Sequence, residues 1–241
     1  MFRVAIVAAL EREVRPLVKQ WRVNEKLHDG RRFRFFEKDE CVVVCGGIGA
    51  EAARRAAEAV IAIYAPKVIY SAGFAGALDA GLKVGDIVRP GRVVNAGDGS
   101  SVILALGEGV LVSFASVASP AQKARLRDSF GAQAVDMEAA AIARAAEIRG
   151  VDFAVVKVIS DEFDFDFPSM QRFVDGNGRF LEGRFAGFVA LRPWLWLRVA
   201  RLARNSGRAA RALSDWLEKS IGQMAGADGS QNQHLEAVNR R

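Results

Sequence analysis

Carboxylate side chains stand at three points of the chain where an apolar segment meets a polar one. Glu13 follows the first apolar run, Glu138 stands at the start of an Ala-rich segment, and the pair Ser160-Asp161 ends a continuously apolar run. Carboxyl groups act as general acids and bases, and they accept hydrogen bonds from hydroxyl groups. The three acids together could therefore protonate a leaving group, activate a nucleophile and hold a polyhydroxylated substrate.

The elements that must position these acids are short apolar strands and one helix. Val4–Ala9 and Phe153–Ile159 are typical of strands buried on both faces, whose carboxyl ends commonly carry catalytic groups. Glu138 stands at the start of a predicted helix, where the exposed amides favour a negative charge. Any one of these acids alone is better explained as a helix cap or a solvated charge, but their combination favours a site.

Strand and helix signals alternate along the rest of the chain and predict one α/β domain around a mixed sheet. Further strands are predicted at Phe33–Phe36, Cys41–Cys45, Lys67–Ser71, Gly85–Val88 and Val110–Val117. Helices are predicted at Val14–Trp21, Ala50–Tyr64, Pro120–Phe130 and Met137–Ile148. The small residues of Ala72–Leu78, after a strand, would let a ligand approach the backbone.

The chain changes character near Pro193. Residues 1–190 are expected to form the main domain, residues 191–220 a basic amphipathic helix, and residues 221–241 a disordered tail. The apolar stripe of this helix is Leu195, Val199, Leu202, Leu213 and Leu217, and the opposite arc is Arg198, Arg201, Arg204, Arg208 and Arg211. With Trp194, Trp196 and Trp216, such a helix lies in a membrane interface, packs its leucines on the domain, or does both with adjoining faces.

The composition of the chain limits the kinds of partner that it could bind. A chain of 241 residues that is 51% hydrophobic can bury one substantial core, and its net charge of +6 would suit nucleic acid, an anionic membrane or an acidic substrate. The charge is concentrated in the C-terminal helix, without a nucleic-acid-binding motif, so no nucleic acid is expected.

Cys41 and Cys45 lie far in the sequence from His28 and His234, so no metal is expected. The apolar start has no secretory cleavage pattern and no segment could span a bilayer, which predicts a cytoplasmic protein.

Five segments carry a family resemblance. In order they are AIVAALEREV, GGIGAEAA, SAGFAGAL followed by GLKVGDIV, AVDMEAAAIA and VISDEFD. Over roughly residues 2–165 the chain resembles the purine and uridine phosphorylase superfamily, especially its methylthioadenosine/S-adenosylhomocysteine nucleosidase branch. The resemblance implies a single-domain three-layer α/β/α fold around a central mixed sheet, cleavage of an N-glycosidic bond to release adenine, and a homodimer. Because this chemistry needs only acid, base and electrostatic stabilisation, no organic cofactor is expected.

The resemblance also implies roles for individual residues. Asp161 would protonate the departing base with Ser160 in support, and Glu13 would activate the nucleophile. Glu138 would bind the ribose hydroxyls. The other positions implied to contact substrate are Met137, Gly73, Phe74 and Val117.

Three positions bear on how far these roles carry over. Phe74 stands where relatives often place a small hydroxyl residue, so it would narrow the pocket or make it more apolar. Ser71 stands where phosphorolytic relatives carry a phosphate-binding arginine, which weakens the case for phosphate but leaves water and phosphate both open. Lys157 could offer a positive charge to the site, but a lysine at the edge of the sheet is the plainer interpretation.

A narrower resemblance covers DEFDFDFPSMQRFVDGNGRF and LRPWLWLRVARLARNSGRA, which look like the hopanoid-associated phosphorylase subfamily. It implies adenosylhopane as substrate, a nucleoside whose 5′ substituent is a large polycyclic lipid, and peripheral contact with the inner membrane face. Two alternatives remain open: a methylthioadenosine/S-adenosylhomocysteine nucleosidase acting on a soluble substrate, and a non-catalytic module that binds a lipid surface.

Overall fold

A computed structural model describes residues 2–165, 170–176 and 178–238 of the chain. Within these residues the strands are β1 Val4–Ala8, β2 Arg22–His28, β3 Arg31–Lys38, β4 Cys41–Cys45, β5 Val68–Ala77, β6 Ile87–Val88, β7 Arg92–Asn95, β8 Ser101–Ile103, β9 Val110–Ser113, β10 Ala134–Asp136 and β11 Asp152–Asp161. The helices are α1 Glu11–Val18, α2 Ala50–Tyr64, α3 Pro120–Phe130, α4 Ala139–Ile148, α5 Glu182–Ala190 and α6 Trp196–Val238, with 3₁₀ helices at Met170–Phe173 and Pro193–Leu195.

All of these strands belong to one mixed sheet. Its main path runs in the order β2-β3-β4-β1-β5-β10-β9-β7-β8, and β11 pairs with β5 and β6. The strands β1, β5 and β11 are parallel, so their carboxyl ends meet at one edge. This edge carries two of the predicted acids, because β1 leads into Glu13 and β11 ends at Asp161.

The residues of β1 alternate between two helical layers. Ala5 and Val7 pack with α2 and α4 in one core cluster. Val4, Ile6 and Ala8 pack with α1 and α6 in the cluster on the other face. Because successive strand side chains point to opposite faces, a fully apolar strand requires a helical layer on each side. The predicted three-layer α/β/α fold with a central mixed sheet is thus confirmed.

Several predicted ends of strands and helices were wrong, and most of these differences lie beside the predicted acids. The strand expected to end at Ser71 continues to Ala77 as β5, because β11 pairs with the glycine-containing stretch as well. The strand expected to reach Val117 ends at Ser113, and a loop then leads to the N-cap of α3. Helix α4 begins at Ala139, since the Asp136 carboxylate accepts a hydrogen bond from the Ala139 amide and terminates β10 there.

Helix α6 shows one of the two alternatives predicted for the C-terminal segment, the packed one. Its middle packs on the domain, where Leu213 and Leu217 are buried against α1 and the sheet. The stripe is divided, because Val199 and Leu202 are only half-buried, while the five arginines of the opposite arc are exposed. Among the residues that the structure describes, no helix is both long enough and apolar enough to cross a bilayer.

The helix continues over residues 221–238, where the sequence predicts a disordered tail. A helix that has formed can extend because each added residue contributes one more backbone hydrogen bond. Residues 239–241 lie outside the described residues.

Candidate active site

A cavity of about 160 Å³ opens at the edge of the sheet where β1, β5 and β11 end. The predicted site residues that line it are Glu13, Phe74, Val117, Met137, Glu138, Ser160 and Asp161. They come from segments far apart in the sequence, which the parallel strands bring to one edge. Lys123 and Asp136 also line this cavity, although neither was predicted as a site residue.

Glu13 is buried beside the loop that follows β1. Its Oε2 accepts hydrogen bonds from the backbone amides of Ala9 (3.2 Å) and Leu10 (3.3 Å). Burial raises the pKa of the Glu13 carboxyl, although the Lys157 charge and the two amides oppose the shift. A buried carboxyl with a raised pKa is suited to accept a proton near neutral pH.

Gly73, predicted to contact substrate, is not among the residues that line the cavity. A Cβ atom at this position would lie 2.8 Å from Glu13 Oε2. The glycine therefore makes room for the Glu13 carboxylate. The sequence pattern correctly indicated a close approach to the backbone, but the approaching group is a side chain of the protein.

Both carboxylate oxygens of Asp161 accept hydrogen bonds. The Ser160 hydroxyl donates to Oδ1 at 2.8 Å, and the Lys123 ammonium donates to Oδ2 at 2.5 Å. A Cβ atom at Gly76 would lie 2.9 Å from Oδ2, so this second glycine of β5 is needed for the Asp161 carboxylate. The SAGFAG segment thus accommodates two acids of the site, one at each glycine.

Glu138 is held by backbone amides from two segments. Its Oε1 accepts from the Gly49 amide at 2.9 Å, and its Oε2 accepts from the Met137 amide at 3.2 Å. Burial, and then the neighbouring Asp136 charge, raises the pKa of Glu138 to about 7, while the Lys157 charge opposes the shift. Gly49 has a φ of 95°, which favours glycine, so the GGIG segment positions Glu138 through a conformation that other residues rarely adopt.

A buried ion pair lies close to Glu138 and acts on its charge. Lys157 Nζ lies 2.8 Å from Asp136 Oδ2, and the Ser113 hydroxyl donates to Asp136 Oδ1 at 2.6 Å. Burial lowers the pKa of Lys157, but the nearby carboxylates, Asp136 first, outweigh this effect and raise it. The interpretation of Lys157 as a lysine at the sheet edge was wrong, because β11 is paired on both sides and the Lys157 side chain is only 2% exposed.

A second, larger chamber of about 500 Å³ adjoins the cavity. The two share wall residues that include Phe74, Ser160 and Asp161. From there the chamber extends to α5 and α6, and its further wall residues include Phe165, Phe185, Val199, Leu202 and Ala203. The bulky Phe74 therefore stands at the junction of the two spaces, and the half-buried Val199 and Leu202 of α6 face the chamber.

No set of three or more His, Cys, Asp and Glu side chains in the described part of the chain could hold a metal ion. The side chains that do converge on the cavity supply other chemistry. Asp161 could transfer a proton, Glu138 could accept hydrogen bonds from hydroxyl groups, and Glu13 could accept a proton from an attacking nucleophile.

The chain belongs to the Phosphorylase superfamily, whose pattern it matches over residues 3–109 and 101–179. This family assignment confirms the broader resemblance inferred from the motifs. The matched residues contain Glu13, Gly73, Gly76, Glu138 and Asp161, so the whole acid constellation lies inside the family region.

Three relatives illustrate the similarity. A 5′-methylthioadenosine/S-adenosylhomocysteine nucleosidase from Treponema pallidum is 27% identical over 178 residues, which cover 51% of this chain and 66% of the relative, just under two thirds of its length. The crystal structure of such a nucleosidase from Colwellia psychrerythraea in complex with adenine has a TM-score of 0.59 at 26% identity, covering 67% of this chain and 83% of that one. The Arabidopsis thaliana 5′-methylthioadenosine nucleosidase has a TM-score of 0.70 at 20% identity, covering 94% and 97%.

Proposed function

We propose that this protein cleaves the N-glycosidic bond of a 5′-substituted adenosine and releases adenine. The observation that carries the proposal is the convergence of Glu13, Glu138 and Asp161 on one cavity. The relatives with 26% and 27% identity are named nucleosidases, and the first of them was crystallised with adenine.

The geometry supports a separate catalytic role for each of the three acids. Asp161 in its protonated form passes a proton to the departing adenine, which would otherwise leave as an anion, and is left as the carboxylate that Lys123 and Ser160 bind. Glu138 accepts hydrogen bonds from the ribose hydroxyls while the sugar gains positive charge, and these charge-assisted bonds strengthen in the transition state. Glu13 removes a proton from the nucleophile that attacks the anomeric carbon.

Three features favour water over phosphate as this nucleophile. The Glu13 carboxylate already accepts from the Ala9 and Leu10 amides, which removes two donors that an incoming anion would need. The Ser71 hydroxyl is fully buried in the sheet, so it brings neither charge nor an exposed donor to the cavity. Phosphate would also have to approach the negative charge of Glu13.

The larger chamber supports a bulky apolar 5′ substituent. It begins at the wall it shares with the cavity and continues between aromatic residues of the 165–185 region and apolar residues of α6. A methylthio group would leave most of about 500 Å³ empty, whereas a polycyclic lipid would bury its surface there. Adenosylhopane, inferred from the two subfamily segments, has a substituent of this kind.

The substrate is tested by adenine release from adenosylhopane in detergent and from methylthioadenosine, each with and without phosphate. We expect release from adenosylhopane without phosphate, and slow turnover of methylthioadenosine. Ala203→Trp places an indole in the chamber and should lower kcat/KM for adenosylhopane by about tenfold, because steric filling of a pocket costs about 1–3 kcal/mol. Turnover of methylthioadenosine should not change.

Ala200→Trp is the matched control, since Ala200 is exposed on the same helix and does not line the chamber. Rapid turnover of methylthioadenosine would contradict the adenosylhopane assignment and support the soluble-substrate alternative. A strict requirement for phosphate would contradict water as the nucleophile.

The turn from α5 into α6 supports contact with a membrane surface. Four large apolar side chains are exposed there: Leu191 (78%), Trp194 (71%), Trp196 (55%) and Leu197 (86%). The exposed Arg198, Arg201 and Arg204 follow at once on α6. Adjacent apolar and cationic groups are the combination that binds an anionic membrane interface. Trp216 does not join this patch, because it packs with the core and lies under Arg89, 5.5 Å from the ring centroid.

Sedimentation with vesicles tests the contact. The protein should bind vesicles containing phosphatidylglycerol and bind pure phosphatidylcholine weakly. Leu191→Ser with Leu197→Ser should weaken binding about 30-fold, since each leucine contributes on the order of 1 kcal/mol of partial burial. Ile103→Ser with Leu106→Ser removes two equally exposed aliphatic residues elsewhere (82% and 73%) and should leave binding unchanged. Vesicle binding without adenine release from any nucleoside would instead favour the non-catalytic lipid-binding module.

A further inference from the structure

Lys123 is a buried lysine that has no role in the reaction as proposed above. It lies in the first turns of α3, and its side chain is only 1% exposed. The start of α3 is fixed by a capping box in which the Ser119 hydroxyl accepts from the Gln122 amide and the Gln122 side chain accepts from the Ser119 amide. The backbone that carries Lys123 is therefore held in place independently of the lysine side chain.

The Lys123 ammonium makes two contacts, both with the segment that ends β11. It donates to Asp161 Oδ2 at 2.5 Å and to the Glu162 carbonyl oxygen at 2.7 Å. With Ser160 donating to Oδ1, each oxygen of the Asp161 carboxylate has its own donor. A carboxylate bound at both oxygens cannot rotate about its terminal bond without losing a hydrogen bond.

Burial of the Lys123 ammonium lowers the folding stability, which suggests that the lysine serves a function. Burying a lysine requires removing the ammonium from water, and a neutral side chain could satisfy the Glu162 carbonyl at lower cost. Instead the cation lines the same cavity as Asp161, and its Cε lies 3.3 Å from where a Cβ at Gly76 would be. The absence of a side chain at Gly76 leaves room for both partners of the pair.

We propose that Lys123 is a positioning residue for the departure of adenine: together with Ser160 it fixes the Asp161 carboxyl in the orientation from which the base is protonated. This inference rests on the proposed function. Lys123 also stabilises the Asp161 carboxylate that remains once the proton has passed to the base, in a cavity that already holds Glu13, Asp136 and Glu138. Loss of Lys123 leaves Asp161 held at one oxygen only, by Ser160, so that its carboxyl can turn away from the base more easily.

The test separates steps that need protonation of the leaving group from steps that do not. Two substrates with the same 5′ substituent are compared: the adenosine, whose base must be protonated, and the 4-nitrophenyl riboside, whose phenolate leaves without a proton. Lys123→Met should lower kcat/KM for adenine release about 100-fold, the lower range of general-acid effects, and lower nitrophenolate release less than about threefold. Asp161→Asn should show the same contrast.

Two further variants complete the design. Lys123→Arg retains the positive charge and should keep adenine release within about tenfold of the wild-type rate, although its geometry differs. Arg125→Met removes a cation from an exposed position of the same helix and should leave both rates unchanged. Thermal melting of each variant identifies any that is unfolded.

Equal losses with the two substrates in Lys123→Met, or in Lys123→Arg if the methionine variant does not fold, would show a merely structural role and overturn the inference. No loss with either substrate would also overturn it. Failure of the wild-type protein to release adenine from any nucleoside would instead overturn the proposed function, so the two failures are distinguishable.

Discussion

Asp161→Asn should lower kcat/KM for adenine release by about 10²- to 10⁴-fold, the range that a general acid contributes. Asparagine preserves the shape of the side chain and can still accept from Ser160, but its amide cannot transfer a proton to the base. The Lys123 ammonium would then face an amide in place of its carboxylate partner. The measurement is release of adenine by chromatography under single-turnover conditions.

The matched control for this prediction is Asp164→Asn, which makes the same chemical change at an exposed position three residues later. Its rate should equal that of the wild-type protein. Ser160→Ala removes only the donor to Oδ1 and should cost less than Asp161→Asn. Unchanged adenine release in Asp161→Asn would show that the acid has been assigned to the wrong residue.

Glu138→Gln should have the second largest effect on activity. The carboxylate can accept from two ribose hydroxyls while it is held by Gly49 and Met137, whereas a glutamine offers one acceptor oxygen. Loss of one charge-assisted hydrogen bond costs about 1.5–3 kcal/mol, which predicts a fall in kcat/KM of about 10- to 100-fold. A substrate that lacks the ribose hydroxyls should be turned over at nearly equal rates by the variant and the wild-type protein.

The same substitution should change how stability depends on pH. The folded-state pKa of Glu138 is about 7 against an ordinary value of 4.5, so below pH 4.5 the group is protonated in both states and carries no penalty. As pH rises from 4.5 to 7, the unfolded chain releases this proton first and the folded state becomes relatively less stable, by roughly 3 kcal/mol in total. Above pH 7 the penalty is constant.

Glu138→Gln removes this contribution, so its free energy of unfolding should fall less than that of the wild-type protein between pH 4.5 and pH 7. Urea denaturation at several pH values measures the difference. Glu147→Gln, at an exposed position of α4, is the control and should keep the wild-type pH dependence. Parallel curves for Glu138→Gln and the wild-type protein would contradict the raised pKa.

Much of the architecture could be predicted because its signals are local. The apolar β1 predicts a strand covered on both faces, and the Ala-rich α2 with Pro66 beyond its end predicts a helix of the observed length. Strand β2 was missed because its residues are mostly polar and exposed, as is common at the edge of a sheet. Polar edge strands lack the apolar periodicity on which such predictions depend.

The sequence also identified the acids of the candidate site, since Glu13, Glu138 and Asp161 stand next to elements with clear signals and inside recognisable motifs. It did not identify Lys123. On α3 this lysine is one of several basic residues, and a charged residue in a polar helix predicts an exposed position. Only the packing of α3 against the end of β11 places its ammonium beside Asp161.

By itself, then, the sequence determined the fold class, the superfamily and which acids gather at the edge of the sheet, because all three depend on short-range patterns and on the order of strands. The tertiary structure alone decided what each glycine of β5 makes room for, which cation pairs with which acid, and that the first turns of α6 face the chamber whereas its middle packs on the domain. These depend on contacts between segments as far apart as Lys123 and Asp161, or Gly49 and Glu138. Whether such distant segments come into contact is decided by how the layers of the fold pack together. No local sequence pattern specifies that packing.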